Sequence, residues 1–194
     1  MNKTTPLRSR RTFLLNTVAA AVCVACGDRP AMGATPSSGR SPSGPVKIEN
    51  FSAAGKSEGV ETVEPVIKTD AEWRRQLSPS AYVITRQSGT ERPFSGELDR
   101  EKRSGLYRCI CCETALYDSK TKYDSGTGWP SFWRVISDHN VVEEPGQRAG
   151  FRGAEISCAR CAAHLGHVFV DGPRPTGLRY CMNSVALRFV PRGI

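Results

Sequence analysis

The amino-acid sequence predicts a mainly β domain of the α+β class, with antiparallel sheet behind a short helical flank. Two observations carry that expectation. From Leu106 onward, brief apolar runs are broken every few residues by Gly and Pro, as short strands and tight turns require. Apolar residues at helical spacing occur only between residues 70 and 87, and no run of useful helical length follows. At 194 residues the chain can hold one well-buried domain plus a tail, and it shows no internal repeat.

The tail comes first. Ser9-Arg10-Arg11-Thr12-Phe13-Leu14 resembles a twin-arginine export motif, and the uncharged, Ala/Val-rich run Phe13–Cys26 follows it. As a helix those 14 residues reach about 21 Å, too short for a permanent anchor across a hydrocarbon core of about 30 Å. Residues 1–34 are expected to be an export signal cleaved after Gly33, which predicts a periplasmic protein. Val24-Ala25-Cys26 also resembles a lipoprotein cleavage box, which would leave a lipid anchor on Cys26. Residues 35–64 are Ser/Gly/Pro/Lys-rich and are expected to form a disordered linker, with the domain at 65–194. A net +6 of the +8 formal charge lies in residues 1–56, and the remaining 138 residues carry 19 basic and 17 acidic groups. The body is nearly neutral, so no phosphate-binding surface and no nucleic-acid partner are expected.

Within the domain, Asp70 is read as the N-cap of a short helix carrying Trp73 and Leu77 one turn apart. Ser78-Pro79 starts a second helix to about Arg86, with Tyr82 and Val83 facing inward. Gly89 to Gly96 reads as a turn-rich crossing. Strands are expected near 105–109, 114–118, 131–136, 140–144, 148–156, 167–171, 178–182 and 185–190.

Cys109/Cys112 and Cys158/Cys161 are two Cys-x-x-Cys pairs separated by 45 residues. Each spacing turns two thiolates toward one ion, and two such turns complete a tetrahedral Cys₄ site. Such a site predicts a structural Zn²⁺ that ties two distant hairpins together. Two disulfides, or a redox-active pair, are the competing readings. Cys181 stands apart from these pairs, with His164 and His167 shortly before it in the chain. A solitary thiol approached by imidazoles is a candidate nucleophile, although a free cysteine is also commonly a small buried hydrophobe.

Tyr107-Arg108-Cys109, the stretch Lys122-Tyr123-Asp124-Ser125-Gly126-Thr127-Gly128-Trp129-Pro130-Ser131-Phe132, His164 to Asp171 and Gly177 to Ser184 together resemble the B-type methionine-R-sulfoxide reductases. Glu72-Trp73-Arg74 and Gly89-Thr90-Glu91-Arg92-Pro93-Phe94 extend the resemblance to residues 65–191. It implies a fold of two antiparallel sheets and thiol-dependent reduction of methionine-R-sulfoxide in oxidised proteins. It also implies a thioredoxin-like reductant, and a monomer is expected. Cys181 falls on the catalytic cysteine and His164, His167 and Asn183 on active-site positions. Trp129 falls on an active-site position too, and Cys109, Cys112, Cys158 and Cys161 on zinc ligands. Trp129, Phe132 and Arg179 are expected to bind substrate, with Arg179 equally readable as a strand-surface charge. The thiolate that attacks the sulfoxide calls for a cysteine pKa lowered from its usual value, and Asp171 is expected to shape its turn.

Many members of that family place a second, resolving cysteine where this chain has Thr127. A sulfenic acid on Cys181 would then be resolved by an external thiol, by Cys111, or by Cys23 or Cys26 of an unprocessed tail. Three readings from other classes compete with the enzyme. A non-catalytic zinc-pinned β module would leave Cys181, the histidines and Trp129 without a purpose. A zinc-ribbon nucleic-acid binder lacks a basic stripe, and a thioredoxin-like protein lacks a βαβ setting for its Cys-x-x-Cys.

Overall fold

This computed structural model describes residues 42–144 and 153–193. The expected export signal, with Cys23 and Cys26, lies outside them. Where a disordered linker was expected, Val46–Phe51 (β1) and Ser57–Val63 (β2) form an antiparallel hairpin. The reason for the difference is how the hairpin is held. β2 is exposed along nearly its whole length and β1 buries only Ile48, so no apolar alternation marks them. Polar groups do the anchoring. The fully buried Asn140 accepts from the Glu49 N–H and donates to the Glu49 carbonyl, both at 2.8 Å, as a neighbouring strand would. Arg108 donates to the Phe51 carbonyl and Arg192 to the Ala54 carbonyl, each also at 2.8 Å.

Two short helices follow. The N-cap of α1 (Asp70–Gln76) is Thr69, one residue before the expected Asp70. Thr69 and Glu72 cap each other reciprocally, which frees the Asp70 carboxylate to hold Arg74 and the Tyr82 hydroxyl. Ser78 caps α2 (Pro79–Gln87) through the Ala81 N–H, with Pro79 at the first turn. Trp73, Leu77 and Tyr82 are buried as expected, whereas Val83 faces out and Ile84 and Thr85 take the inner face.

The remaining strands are β3 (Gly105–Cys109), β4 (Ala115–Asp118), β5 (Lys122–Tyr123), β6 (Ser131–Phe132), β7 (Val141–Glu143), β8 (Ala154–Cys158), β9 (His164–Phe169), β10 (Arg179–Met182) and β11 (Leu187–Pro191). They form a three-stranded sheet in the order β11-β3-β4 and a six-stranded sheet in the order β5-β6-β10-β9-β8-β7. Every pairing is antiparallel. The domain is mainly β, as the sequence predicts. The expected strand 131–136 stops at Phe132, because the chain then turns so that Trp133 and Ile136 donate to Thr121 and Leu116. The strand expected at 148–156 is seen as 154–158, its first residues lying outside the described ones. That expected at 167–171 starts three residues earlier, at His164, and that at 185–190 starts after a 3₁₀ turn, Ser184–Ala186.

The sheets pack through aromatic side chains. Phe132 stacks on Tyr117 at 4.3 Å and meets the edge of Tyr107 at 4.9 Å, all three fully buried. The Tyr117 hydroxyl donates to Met182 Sδ at 3.0 Å, joining the core to the strand that carries Cys181.

Candidate active site and metal centre

Two near-identical turns build the metal centre. Cys109 ends β3 and its N–H donates to Thr114 O, while Glu113 N–H returns to Cys109 O. Cys158 ends β8, its N–H donates to Ala163 O, and Ala162 N–H returns to Cys158 O. The residue after each second cysteine, Glu113 or Ala162, takes a positive φ (66° and 53°), which side-chain-bearing residues adopt only under outside constraint. The result brings the sulfurs of Cys109, Cys112, Cys158 and Cys161 within 4.8 Å of one another, with Cys109–Cys161 at 3.7 Å and Cys112–Cys158 at 3.5 Å. These four cysteines are placed to hold a metal ion, and none is in a disulfide. One pair comes from each large sheet, so the centre joins the two. Helix α1 reaches it through Gln76 to the Cys111 carbonyl, and α2 through Arg86 to the Cys161 carbonyl.

Cys181 lies elsewhere, on β10 inside the six-stranded sheet. Strand register aligns Tyr123, Ser131, Cys181, His167 and Glu155 in one row across five strands, and alternation along each strand puts them on one face. Over this row opens a cavity of about 360 Å³ lined by Thr90, Thr127, Trp129, Gly166, His167, Phe169, Arg179, Cys181 and Asn183. The structure therefore brings together Cys181, His167, Asn183, Trp129 and Arg179. Phe132 is not among them. It pairs with Tyr180, one residue out of phase with the Ser131–Cys181 pair, so its ring enters the core on the opposite face. The expectation that Phe132 binds substrate is corrected by that parity.

His164 does not line the cavity. Residues three apart in a regular strand face opposite ways, but the β8–β9 register slips between Ile156 and Ser157, leaving Leu165 as an extra residue. That bulge brings His164 back toward the cavity face, its ring 5.3 Å from that of His167. His164 is buried and its Nδ1 donates to Glu155 Oε1 at 2.7 Å. Gly166 completes the bulge, since a Cβ there would stand 2.2 Å from the Cys181 carbonyl oxygen.

Asn183 is fully engaged. Its Nδ2 donates to Leu165 O at 3.1 Å and its Oδ1 accepts from Glu91 N–H at 3.0 Å. Glu91 is the residue sequence reasoning missed. Its carboxylate accepts from the N–H groups of Ser184 and Val185, and its carbonyl accepts from Trp129 Nε1 at 3.2 Å. One residue, through its carbonyl and its carboxylate, thus fixes the Trp129 wall relative to the turn after Cys181. The only sequence signal was an acidic residue inside a Gly/Thr/Pro turn, and the partners of its carboxylate lie more than ninety positions away.

Asp171, expected only to shape a turn, grips Arg179 through two bonds of 2.9 and 2.8 Å. The Arg179 guanidinium also lies 4.3 Å from the Phe169 ring centre, and its cation holds the Asp171 carboxyl below the usual range. Burial pushes the Cys181 thiol above its ordinary pKa, while Arg179, Thr127 and Ser131 pull it down. The expected lowering is not what the fold supplies: the walls that shape the cavity also desolvate the sulfur and raise its pKa. Arg179→Gln should leave burial less opposed and move the pH midpoint of Cys181 alkylation upward. An unchanged or lower midpoint, followed by mass spectrometry of the Cys181 peptide, would remove Arg179 from this role.

The SelR domain family matches residues 77–191. The peptide methionine sulfoxide reductase MsrB of Pseudomonas putida (strain W619) is 54% identical over 130 residues, covering 67% of this chain and 98% of the relative. That of Pseudomonas fluorescens is 55% identical over 130 residues, covering 67% and 100%. That of Pseudomonas syringae pv. syringae is 54% identical over 125 residues, covering 64% and 95%. The match takes in both cysteine turns, the Trp129 loop, the two histidines and Cys181, and the chain belongs to the SelR-domain family.

Proposed function

We propose that this chain is a peptide-methionine (R)-S-oxide reductase, returning methionine-R-sulfoxide in oxidised proteins to methionine. The observation that carries this reading is Cys181, alone of the described cysteines in lining the cavity that it shares with His167 and Trp129. A cavity of about 360 Å³ suits a methionine side chain and excludes a folded domain. Trp129 supplies a flat apolar surface for the S-methyl group, worth about 0.3–1.5 kcal/mol. Cys181 attacks the sulfoxide sulfur and forms a sulfur–sulfur bond, and the protonated oxygen leaves the methionine sulfur as water. Water oxygen then bonds Cys181 Sγ as the sulfur–sulfur bond breaks, releasing methionine and leaving Cys181 as a sulfenic acid. One water leaves and one enters, so the thiol and sulfoxide together hold all the atoms of the sulfenic acid and sulfide. His167 faces Cys181 across the β9–β10 pair, the position for a general acid toward the departing oxygen. His164, held by Glu155, positions the His167 ring.

Resolution falls to an external, thioredoxin-like thiol. Cys111 is 4% exposed and does not line the cavity, and Thr127 occupies the place of an internal partner. The donor set fits zinc: Cys109, Cys112, Cys158 and Cys161 would hold it as four thiolates, leaving no open position for chemistry. Its role is structural. The twin-arginine-like start supports export of the folded domain to the periplasm, and we read it as a monomer.

Full-length protein with dithiothreitol and diastereomerically resolved methionine sulfoxide peptides tests the function. Turnover of the R form with the S form untouched is expected. Turnover of the S form alone, or of neither, overturns it.

A further inference from the structure

A second cavity, of about 650 Å³, adjoins the one that holds Cys181. Both are walled by the same two segments. Residues 90–94 give Thr90 to the Cys181 cavity and Phe94 to the second, while residues 123–129 give Thr127 and Trp129 to the first and Tyr123 and Asp124 to the second. Two hydrogen bonds clip the segments together, Phe94 N–H to Gly128 O at 2.7 Å and Trp129 Nε1 to Glu91 O at 3.2 Å. Phe94 stands on this seam. Its side chain is 60% exposed, and its φ of 63° is one that a bulky residue adopts only where its surroundings impose it. Gly128 makes room for it, since a Cβ there would stand 2.6 Å from Phe94 N and 2.8 Å from Cγ and Cδ2 of the ring. A glycine at position 94 would take this backbone without strain, and a ring so exposed adds little to the core. Neither local conformation nor packing explains a phenylalanine here.

A ligand explains it. The Cys181 cavity suits one methionine side chain, so the polypeptide that carries that side chain must run out over its rim. The adjoining space is nearly twice as large, and Arg100, Lys102 and Asp124 line it with donors and acceptors for a peptide backbone. We propose that this second cavity is the subsite for the residues next to the oxidised methionine in an extended client polypeptide, with Phe94 anchoring a large apolar side chain beside the sulfoxide. The proposal rests on the reductase reading and adds the chemistry of the client: an extended chain with an apolar neighbour, held by a flat aromatic contact.

The test compares two substrates of full-length, metal-loaded protein with dithiothreitol as reductant. One is N-acetyl-methionine-R-sulfoxide amide, which has no neighbouring residues, and the other is a pentapeptide with leucine on each side of methionine-R-sulfoxide. The parent should prefer the pentapeptide, through KM. Phe94→Gly suits the left-handed backbone and keeps the fold. It should cut the ratio of kcat/KM for the pentapeptide to that for the amide by roughly five- to thirtyfold, in KM and not in kcat. Phe94→Tyr should keep the parent ratio. A parent that shows no preference, or a preference unmoved in Phe94→Gly, overturns the proposal while leaving the reductase reading in place. An equal fall with both substrates also overturns it, assigning Phe94 a structural role through Gly128. So does a Phe94→Gly defect confined to turnover driven by a thioredoxin-like protein, which would give this patch to the reductant. Absence of turnover of both substrates by the parent defeats the reductase reading itself, and the proposal with it.

Discussion

Cys181→Ser is expected to lower turnover of methionine-R-sulfoxide peptides by about 10⁴-fold or more while leaving the fold intact. The substitution exchanges sulfur for oxygen at an intermediate-exposure site, so neither packing nor strand pairing is disturbed. What is lost is the only described sulfur that lines the cavity. A serine hydroxyl at that position is neither acidic nor polarizable enough to take oxygen from a sulfoxide. No other described cysteine can substitute, since Cys111 is buried and the other four belong to the metal centre. Dithiothreitol-driven turnover, with circular dichroism and metal content as controls, measures the effect. Residual activity within about tenfold of the parent would place the chemistry on another group. A non-catalytic binding module would bind its ligand equally well after the change.

Removing the metal should unfold the domain. A structural zinc contributes on the order of 10–16 kcal/mol in small metal-dependent folds, while a whole domain is stable by about 5–15 kcal/mol. The first figure is comparable to the whole of the second, so the apo form has little or no margin. The geometry adds to this. Glu113 and Ala162 hold left-handed backbone beside the four sulfurs, and a bound ion would tie β3 to β8, strands of different sheets. A strong chelator, or Cys158→Ala, is expected to abolish the cooperative thermal transition seen by circular dichroism. A chelated protein that still melts cooperatively near the parent temperature would refute a metal-dependent fold. Activity should fall in parallel, although no ligand touches the cavity.

Much of this was legible in the sequence because the signals were local. Two Cys-x-x-Cys spacings announced a four-sulfur centre, and Gly/Pro punctuation announced β3, β4 and β10 within a residue or so. What was hidden depended on parity and on distant polar partners. Phe132 and Ser131 sit side by side in the chain, yet only the pairing with β10 decides which enters the core. His164 and His167 come together through one slipped residue that no periodicity marks. Glu91 and Asn183 meet across the molecule through single hydrogen bonds. The hairpin at 46–63 hangs on Asn140 and two arginines, so it carries no hydrophobic rhythm to read. Even the Cys181 pKa, whose direction chemistry seemed to dictate, was set by desolvation that only the folded cavity supplies.

The place of Cys181 on an interior strand has one more consequence. Its backbone is locked between two neighbours, so the sulfur cannot swing out to greet a second protein. Any thiol that reduces an oxidised Cys181 would therefore have to come to the sulfur through the same cavity that takes the methionine sulfoxide.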